Sequence, residues 1–285
     1  MNPTPPLPLG DLAIIDLEGP EAERFAQAQF MNDVLALPVG HWHWNGWLNA
    51  KGRVQALFAL LRLAPGHLRL VLLDAEPEAF VGALSRYLLR SKARLRQRTD
   101  LQAHADFEGL QGDGDGEADR LHIEADDRLA LDVSAEGGRR RLCILPGQAT
   151  PDPVATARWR EADLRHGLPR WRSDREHGWT PHMLSLQRLK AFSVKKGCYP
   201  GQEIVARTHY LGKAKRQTGW VEGPGLSDGR VLTDRDGRAL AEVIGACADA
   251  SAGLAVGLLD EATPAFAEGH PVTVRPPLGG LARPI

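Results

Sequence analysis

The chain has 285 residues, and its 35 Lys and Arg stand against 36 Asp and Glu, so it is formally near neutral. That balance speaks against a protein that binds nucleic acid or an anionic membrane through global charge. With 43% hydrophobic and 25% charged residues, compositional disorder and a disulfide-dense scaffold are both excluded, and the length suits one large domain or two smaller ones.

In chain order, residues 1–10 are Pro-rich and read as a flexible arm without the basic and apolar regions of a signal peptide. Residues 12–17 form a short apolar run ended by Gly19-Pro20, which predicts a strand. Pro20 and the following acids open a helix over 21–31. Residues 47–63 hold two apolar stretches around Lys51-Gly52, a hairpin pattern, and 68–73 is a further strand. Helical periodicity at Phe80, Val81, Leu84, Tyr87 and Leu88 predicts a helix over 76–90, and 93–99 alternates like an edge strand. Residues 129–133 and 141–145 read as a strand pair around Gly137-Gly138. Helices are expected over 153–166, ended by Gly167, and over 182–192. From about residue 213, short apolar runs alternate with Gly, Asp and Pro turns, the spacing of a small antiparallel barrel or sandwich. No apolar run approaches the roughly 20 residues a spanning helix needs.

Charge is unevenly spread. Residues 100–136 carry twelve acids against Arg120 and Arg128, a net of −10, and include a flexible acidic loop, QGDGDGE, at 111–117. That loop lacks the ligand spacing of a calcium site. Five of the seven lysines fall within 185–216, which has eight basic residues against Glu203 alone, a net of +7. Its centre is Lys195-Lys196-Gly197-Cys198-Tyr199-Pro200-Gly201-Gln202-Glu203. Tyr199 to Gln202 suits a type II turn, with Pro200 fixing φ and Gly201 accepting a positive one. Cys198 thus sits beside a tight turn, and Lys195 and Lys196 favour thiolate over thiol. The segment either presents a sulfur, or a backbone anion site, in a positive setting, or is a solvated basic hairpin with a spare thiol. Cys143 and Cys247 are flanked by apolar residues and read as buried small hydrophobes. Three separated cysteines without a Cys-x-x-Cys pair fit a reducing, cytoplasmic location and no structural zinc.

The segment 181–216, PHMLSLQRLKAFSVKKGCYPGQEIVARTHYLGKAKR, resembles the signature of the YgfZ family of tetrahydrofolate-binding proteins, relatives of the aminomethyltransferase (T-protein) of glycine cleavage. That signature is KGCYxGQE followed by VAR and a basic tail, matched here by Lys195, Lys196, Gly197, Cys198, Tyr199, Gly201, Gln202, Glu203 and Arg207. FAQAQFMNDV at 25–34, the hairpin at 46–63, RHGLP at 165–169 and the C-terminal run resemble further parts of the family. The resemblance implies an α+β, aminomethyltransferase-like fold around a central channel, with a folate-binding region over 11–212 in two subdomains, a variable acidic part at 100–150, and a C-terminal β-barrel over 213–285. It also implies tetrahydrofolate or a one-carbon derivative as ligand, iron–sulfur client enzymes or assembly factors as partners, including tRNA-modifying enzymes, and Cys198 as a candidate catalytic thiolate. Folate contacts carried over are Trp159, eight residues before Gly167, with Leu12 in place of a family tryptophan, and Asn32, Asp33 and Lys51 from the early helix and hairpin. Ser185 stands where the family usually has Asn.

The T-protein follows its hairpin with paired acids. Here Gln55 and Ala56 follow Gly52-Arg53-Val54, so a glycine-cleavage aminomethyl transfer is not expected. Two alternatives stand beside the folate-binding, iron–sulfur reading. One is a tetrahydrofolate-dependent one-carbon transferase or demethylase. The other is a module that docks RNA or an acidic protein on the basic 185–216 patch, although direct nucleic-acid binding and membrane binding are not expected from the overall charge. His41-Trp42-His43-Trp44 reads as a strand with its imidazoles on a polar face opposite packed tryptophans, and His177, His182 and His209 bracket the signature without a metal spacing.

Overall fold

A computed structural model of the chain describes residues 5–73, 75–108, 118–125, 127–170, 178–212, 214–262 and 264–283. The acidic loop at 111–117 and His177 lie outside the described residues. The elements in order are β1 (Leu7–Pro8), β2 (Leu12–Glu18), α1 (Ala22–Gln29), β3 (His41–Leu48), β4 (Val54–Ala64), β5 (His67–Leu73), α2 (Pro77–Ser85), β6 (Arg94–Gln97), β7 (Leu101–Asp106), β8 (Leu121–Ile123), β9 (Leu129–Asp132), β10 (Arg141–Pro146), α3 (Pro153–Arg165), α4 (Gln202–Leu211), β11 (Gln217–Glu222), β12 (Val231–Thr233), β13 (Ala239–Ala246), β14 (Ala252–Gly257), β15 (Ala265–Ala267) and β16 (His270–Arg275). None of the described helices is long and apolar enough to cross a membrane.

The first sheet is antiparallel with the order β3-β4-β5-β2-β6, which places the alternating 93–99 segment on an edge. Both its faces are covered, so its strands are almost continuously apolar rather than alternating. One face packs Phe58, Leu60, Leu68 and Leu70 under α1 and α2 through Phe25, Phe30, Phe80 and Leu84. The other face turns Trp42, Trp44, Leu57 and Val71 towards the second sheet, whose order is β1-β7-β10-β9-β8. The two sheets join where β3 bridges Arg120 and Trp42 N donates to Asp119 O at 2.8 Å. Helix α3 starts at Pro153 behind the cap Asp152, whose carboxylate accepts from Val154 N and Ala155 N at 2.9 Å. The C-terminal strands close into a six-stranded barrel, β11-β14-β13-β12-β15-β16, with β16 pairing back onto β11. Val221, Leu232, Val243, Ala255 and Val272 fill it.

Four expectations are corrected. Residues 7 and 8 are not arm: β1 pairs with Ala105 and His104, and Leu9 is buried beside it because its amide reaches Ala103 O. The helix expected over 76–90 stops at Ser85. The helix expected over 182–192 is a four-residue 3-10 turn, Leu186–Leu189, bracketed by Ser185 and Lys190, each in the left-handed region at φ 53°. A single left-handed residue ends a right-handed helix, whatever the apolar spacing of its neighbours. His43 is not on a polar face: it is fully buried on the α1 side of β3, with its ring against the amides of Asn32 and Asn45.

The acidic stretch is matched by arginines from elsewhere in the chain. Asp127 receives Arg69 and Arg98, Asp100 receives Arg98, and Asp106 receives Arg141. Arg69 and Arg98 also hold the fully buried Asp16, at 2.7 Å each. Burial alone would raise that carboxyl's pKa, but the His67 ring at 3.4 Å and the hydrogen bonds from Arg69 and Arg98 reverse the effect and hold it well below the usual range.

Candidate functional site

The signature follows Lys190 as an irregular segment that bends at 194–197, where Ser193 Oγ accepts from Lys195 N and Lys196 N. Tyr199 C=O accepts from Gln202 N at 3.2 Å, and Gly201 sits at φ 77°, ψ 1°, the third position of a type II turn. The turn is fixed from inside. Tyr199 is buried with its hydroxyl on Ser193 O, and the Gln202 side chain donates back to Lys196 O at 3.1 Å. Helix α4 follows directly, with Glu203 in its first turn and Arg207 exposed.

The turn docks onto the hairpin between β3 and β4. Asn49 organises that hairpin: its carbonyl accepts from Gly52 N, and its side chain accepts from Lys51 N and Arg53 N at 2.9 and 3.0 Å. The contact is backbone against backbone. A Cβ on Gly201 would lie 2.5 Å from Gly52 Cα, and one on Gly52 would lie 2.9 Å from Ile204 Cβ. Glycine is needed on both sides for this approach. Lys51, Lys195, Gly197 and Cys198 are all left exposed beside it.

Lys196 departs from its expected role. It is buried, not solvated, and its ammonium donates to Gln27 O at 2.5 Å and to Phe30 O, the free carbonyls at the end of α1. That is the negative end of the helix dipole. The ammonium also lies 4.8 Å from the Tyr199 ring. Burial lowers its pKa to about 8, against a smaller opposite effect of Asp33. Lys196 thus ties the signature to α1 and does not present its charge beside the thiol.

Asn32 and Asp33 serve the same junction. Asn32 is buried, and its amide donates to Trp44 O at 2.9 Å and Lys190 O at 2.8 Å. Asp33 accepts from the Gln27 side chain at 3.0 Å. The structure therefore brings Lys51, Asn32, Asp33 and the signature together. Trp159 is placed elsewhere, on α3, only 2% exposed and tilted against Phe107, with the Arg140 guanidinium 4.7 Å over its ring. Arg140 is held in turn by Asp163, which also pairs with Arg170. Leu12 is half-buried and paired with Leu73 in β2 and β5. After the hairpin, Gln55 is exposed and Ala56 buried, with no carboxylate at either position.

Two features were not legible beforehand. Ser185 Oγ accepts from the buried Thr218 N at 3.0 Å, which joins the pre-signature turn to the barrel. His182 and His209 meet, with ring centres 6.0 Å apart, and His182 also packs on Phe192. Both ring nitrogens of His182 and the indole nitrogen of Trp179 are buried without a hydrogen-bond partner among the described residues. Trp179 O accepts from Val54 N, so these orphans lie at the base of the hairpin. Orphaned polar atoms here and free lysines on the rim fit a ligand with a hydrogen-bonding head and an anionic tail, the chemistry of a folate. The Arg140 guanidinium covers one side of the Trp159 ring.

Of the three thiols, burial pushes Cys143 up to about 11 and Cys247 up to about 12. Cys198 is the exposed one.

Three antiparallel units, the last a closed barrel, make this an aminomethyltransferase-like fold. The crystal structure of glycine cleavage system aminomethyltransferase T from Bartonella henselae matches it with a TM-score of 0.69, over 94% of this chain and 84% of that one, at 16% sequence identity. Within that class the chain is similar in sequence to proteins named tRNA-modifying protein YgfZ. That of Serratia proteamaculans is 28% identical over 236 residues, covering 75% of this chain and 70% of the relative. That of Vibrio atlanticus is 28% identical over 229 residues, covering 75% and 68%. An uncharacterized protein of Haemophilus influenzae is 28% identical over 205 residues, covering 71% and 68%. No protein-family model matches the chain.

Proposed function

We propose that this protein binds tetrahydrofolate, or a one-carbon derivative of it, and supports the synthesis or repair of iron–sulfur enzymes, including tRNA-modifying ones, with Cys198 as the working thiol. The observation that carries this reading is the union of the hairpin and the signature turn at Gly52 and Gly201, which leaves Cys198 exposed between Gly197 and the buried Tyr199. The relatives named tRNA-modifying protein YgfZ support the setting, and the aminomethyltransferase-like fold supports the ligand. Lys51 and Lys195 would draw the carboxylates of the glutamyl tail, and the pterin would answer the orphaned nitrogens of His182 and Trp179. Trp159 would contribute only through the side away from Arg140. Bound folate supplies a carrier for a one-carbon unit; the chain supplies orientation and the thiol. Gln55 and Ala56 offer no carboxylate to assist aminomethyl transfer, which sets this reading above the one-carbon transferase. The protein works in the cytoplasm on this reading, where a free thiol persists.

Titration calorimetry with tetrahydrofolate, paired with rescue of an iron–sulfur enzyme's activity in a deletion strain, tests it. Saturable binding and loss of rescue by Cys198→Ala are expected. Absence of binding together with full rescue by that variant would overturn the proposal.

A further inference from the structure

Helix α4 is anchored by little of itself: of its ten residues, Val205 is the buried one. A helix of that length is marginal alone. Its outer surface is apolar as well as charged. Leu211 is 83% exposed, Tyr210 63% and Ile204 36%, with Ile204 and Leu211 seven residues apart on one face and Arg207 between them. Lys51 is brought to the start of this helix by the Gly52–Gly201 contact; in sequence Lys195 precedes the helix and Lys215 and Arg216 follow its end. All four and Arg207 are exposed, and none has an ion-pair partner among the described residues. Glu203 is the lone acid in the run 185–216. Cys198, four residues before the helix, is exposed as well.

Exposed aliphatics ringed by unpaired cations match a partner whose own apolar residues are flanked by carboxylates. Nucleic acid fits less well. Phosphates gain nothing from Ile204 and Leu211, and a strand of bases calls for a row of open stacking rings, where this helix shows Tyr210 with the His209 ring edge-on against it. We propose that α4, with the Lys51 hairpin tip, is the docking surface for an acidic, leucine-bearing helical segment of the protein that Cys198 serves. The proposal deepens the function inferred above and rests on that reading of Cys198. Docking here leaves the orphaned nitrogens of His182 and Trp179 to the folate head, while Lys51 and Lys195 are shared between the partner and the glutamyl tail.

The test uses the full chain and a fluorescein-labelled synthetic helical peptide of Glu and Leu, read by anisotropy, with a Glu→Gln version of the peptide and bulk tRNA as parallel probes. Leu211→Asp and Lys215→Glu change side chains that stand free in solvent, so folding is preserved. The expected result is saturable binding of the acidic peptide, weakened about tenfold or more by either substitution and by the Glu→Gln peptide. Tetrahydrofolate binding should be unchanged in both variants, which separates failure of docking from failure of the folate reading. No peptide binding, or equal binding by the wild type and both variants, overturns the proposal. So does tRNA binding that the same substitutions abolish while the peptide stays unbound, which would assign the surface to nucleic acid.

Discussion

His43 lies fully buried between the amides of Asn32 and Asn45, and burial, with a smaller effect from the Lys196 ammonium, pulls its pKa down to about 3. The unfolded chain titrates near the ordinary histidine value of about 6.5, so below that pH the unfolded state takes up a proton the folded state refuses. Stability attributable to His43 is therefore complete above about pH 6.5 and falls as the pH drops towards 3. Urea melts at pH 6.5 and 4.5 should differ by about 2.5 kcal/mol less in His43→Gln than in the wild type. Other buried histidines with lowered pKa, His104, His166 and His182, are common to both proteins and cancel in that difference. An unchanged difference would mean that His43 is charged in the fold. Ser185 gives a second prediction at this scale. Its Oγ is the acceptor for the buried Thr218 N, and its backbone is left-handed at φ 53°. Ser185→Ala should cost about 2 kcal/mol for the orphaned amide. Ser185→Asn, the residue the resemblance leads one to expect, keeps an acceptor and tolerates the left-handed region. Asparagine there is thus explained by backbone geometry as much as by ligand contact, and thermal melts of the two variants should move in opposite directions.

At the scale of elements, the meeting of two turns is the feature on which the site depends. Gly201→Ala puts a Cβ at φ 77° and 2.5 Å from Gly52 Cα, backbone that cannot move aside cheaply. A cost of about 3 kcal/mol is expected from the left-handed strain and the overlap together. Gly197→Ala meets nothing within 4 Å and should leave stability within about 0.5 kcal/mol of the wild type. Loss of Cys198-dependent rescue in Gly197→Ala without a change in melting would show that this glycine keeps the thiol accessible; a matching fall in both would make it structural. The two turns also show what the sequence discloses and what it hides. Tyr199-Pro200-Gly201-Gln202 is legible because turn chemistry is local, and β2, β5 and β11–β16 are legible because apolar runs between glycines are local too. The short 3-10 turn in place of a helix over 182–192 is hidden, since Leu184, Leu186 and Leu189 keep a helical spacing while Ser185 and Lys190 break the backbone. Lys196 looked like one of a solvated run because its acceptors, the carbonyls of Gln27 and Phe30, lie more than 160 residues away in the chain.

On the scale of the whole molecule, near-neutral charge conceals two opposed regions that the fold treats differently. Among the described acids of 100–136, Asp100, Asp106 and Asp127 are paired with arginines, and Arg98 alone reaches Asp100, Asp127 and the buried Asp16. Much of the basic region stays outside, on α4 and its flanks. The three units share one apolar core, and the strap after β16 ties them together as well. Leu278 N donates to Arg165 O of α3 at 2.8 Å, Gly279 N to Glu136 at 2.7 Å beside the second sheet, and Leu281 O accepts from the Trp44 indole of the first sheet at 2.8 Å. Arg283, 1% exposed, lies 5.1 Å from the Trp42 ring and donates to Asp132 O. Strand β16 belongs to the barrel, so a chain that leaves the barrel and crosses both sheets makes their unfolding a single event. Leu281→Ala should therefore lower stability by about 3 kcal/mol. Because the strap couples the units, calorimetry of the wild type should show one transition, and Leu281→Ala should split it into an earlier sheet transition and a later barrel transition. A single transition merely shifted in the variant would place the coupling in the α3 contacts with β13 and β14 instead.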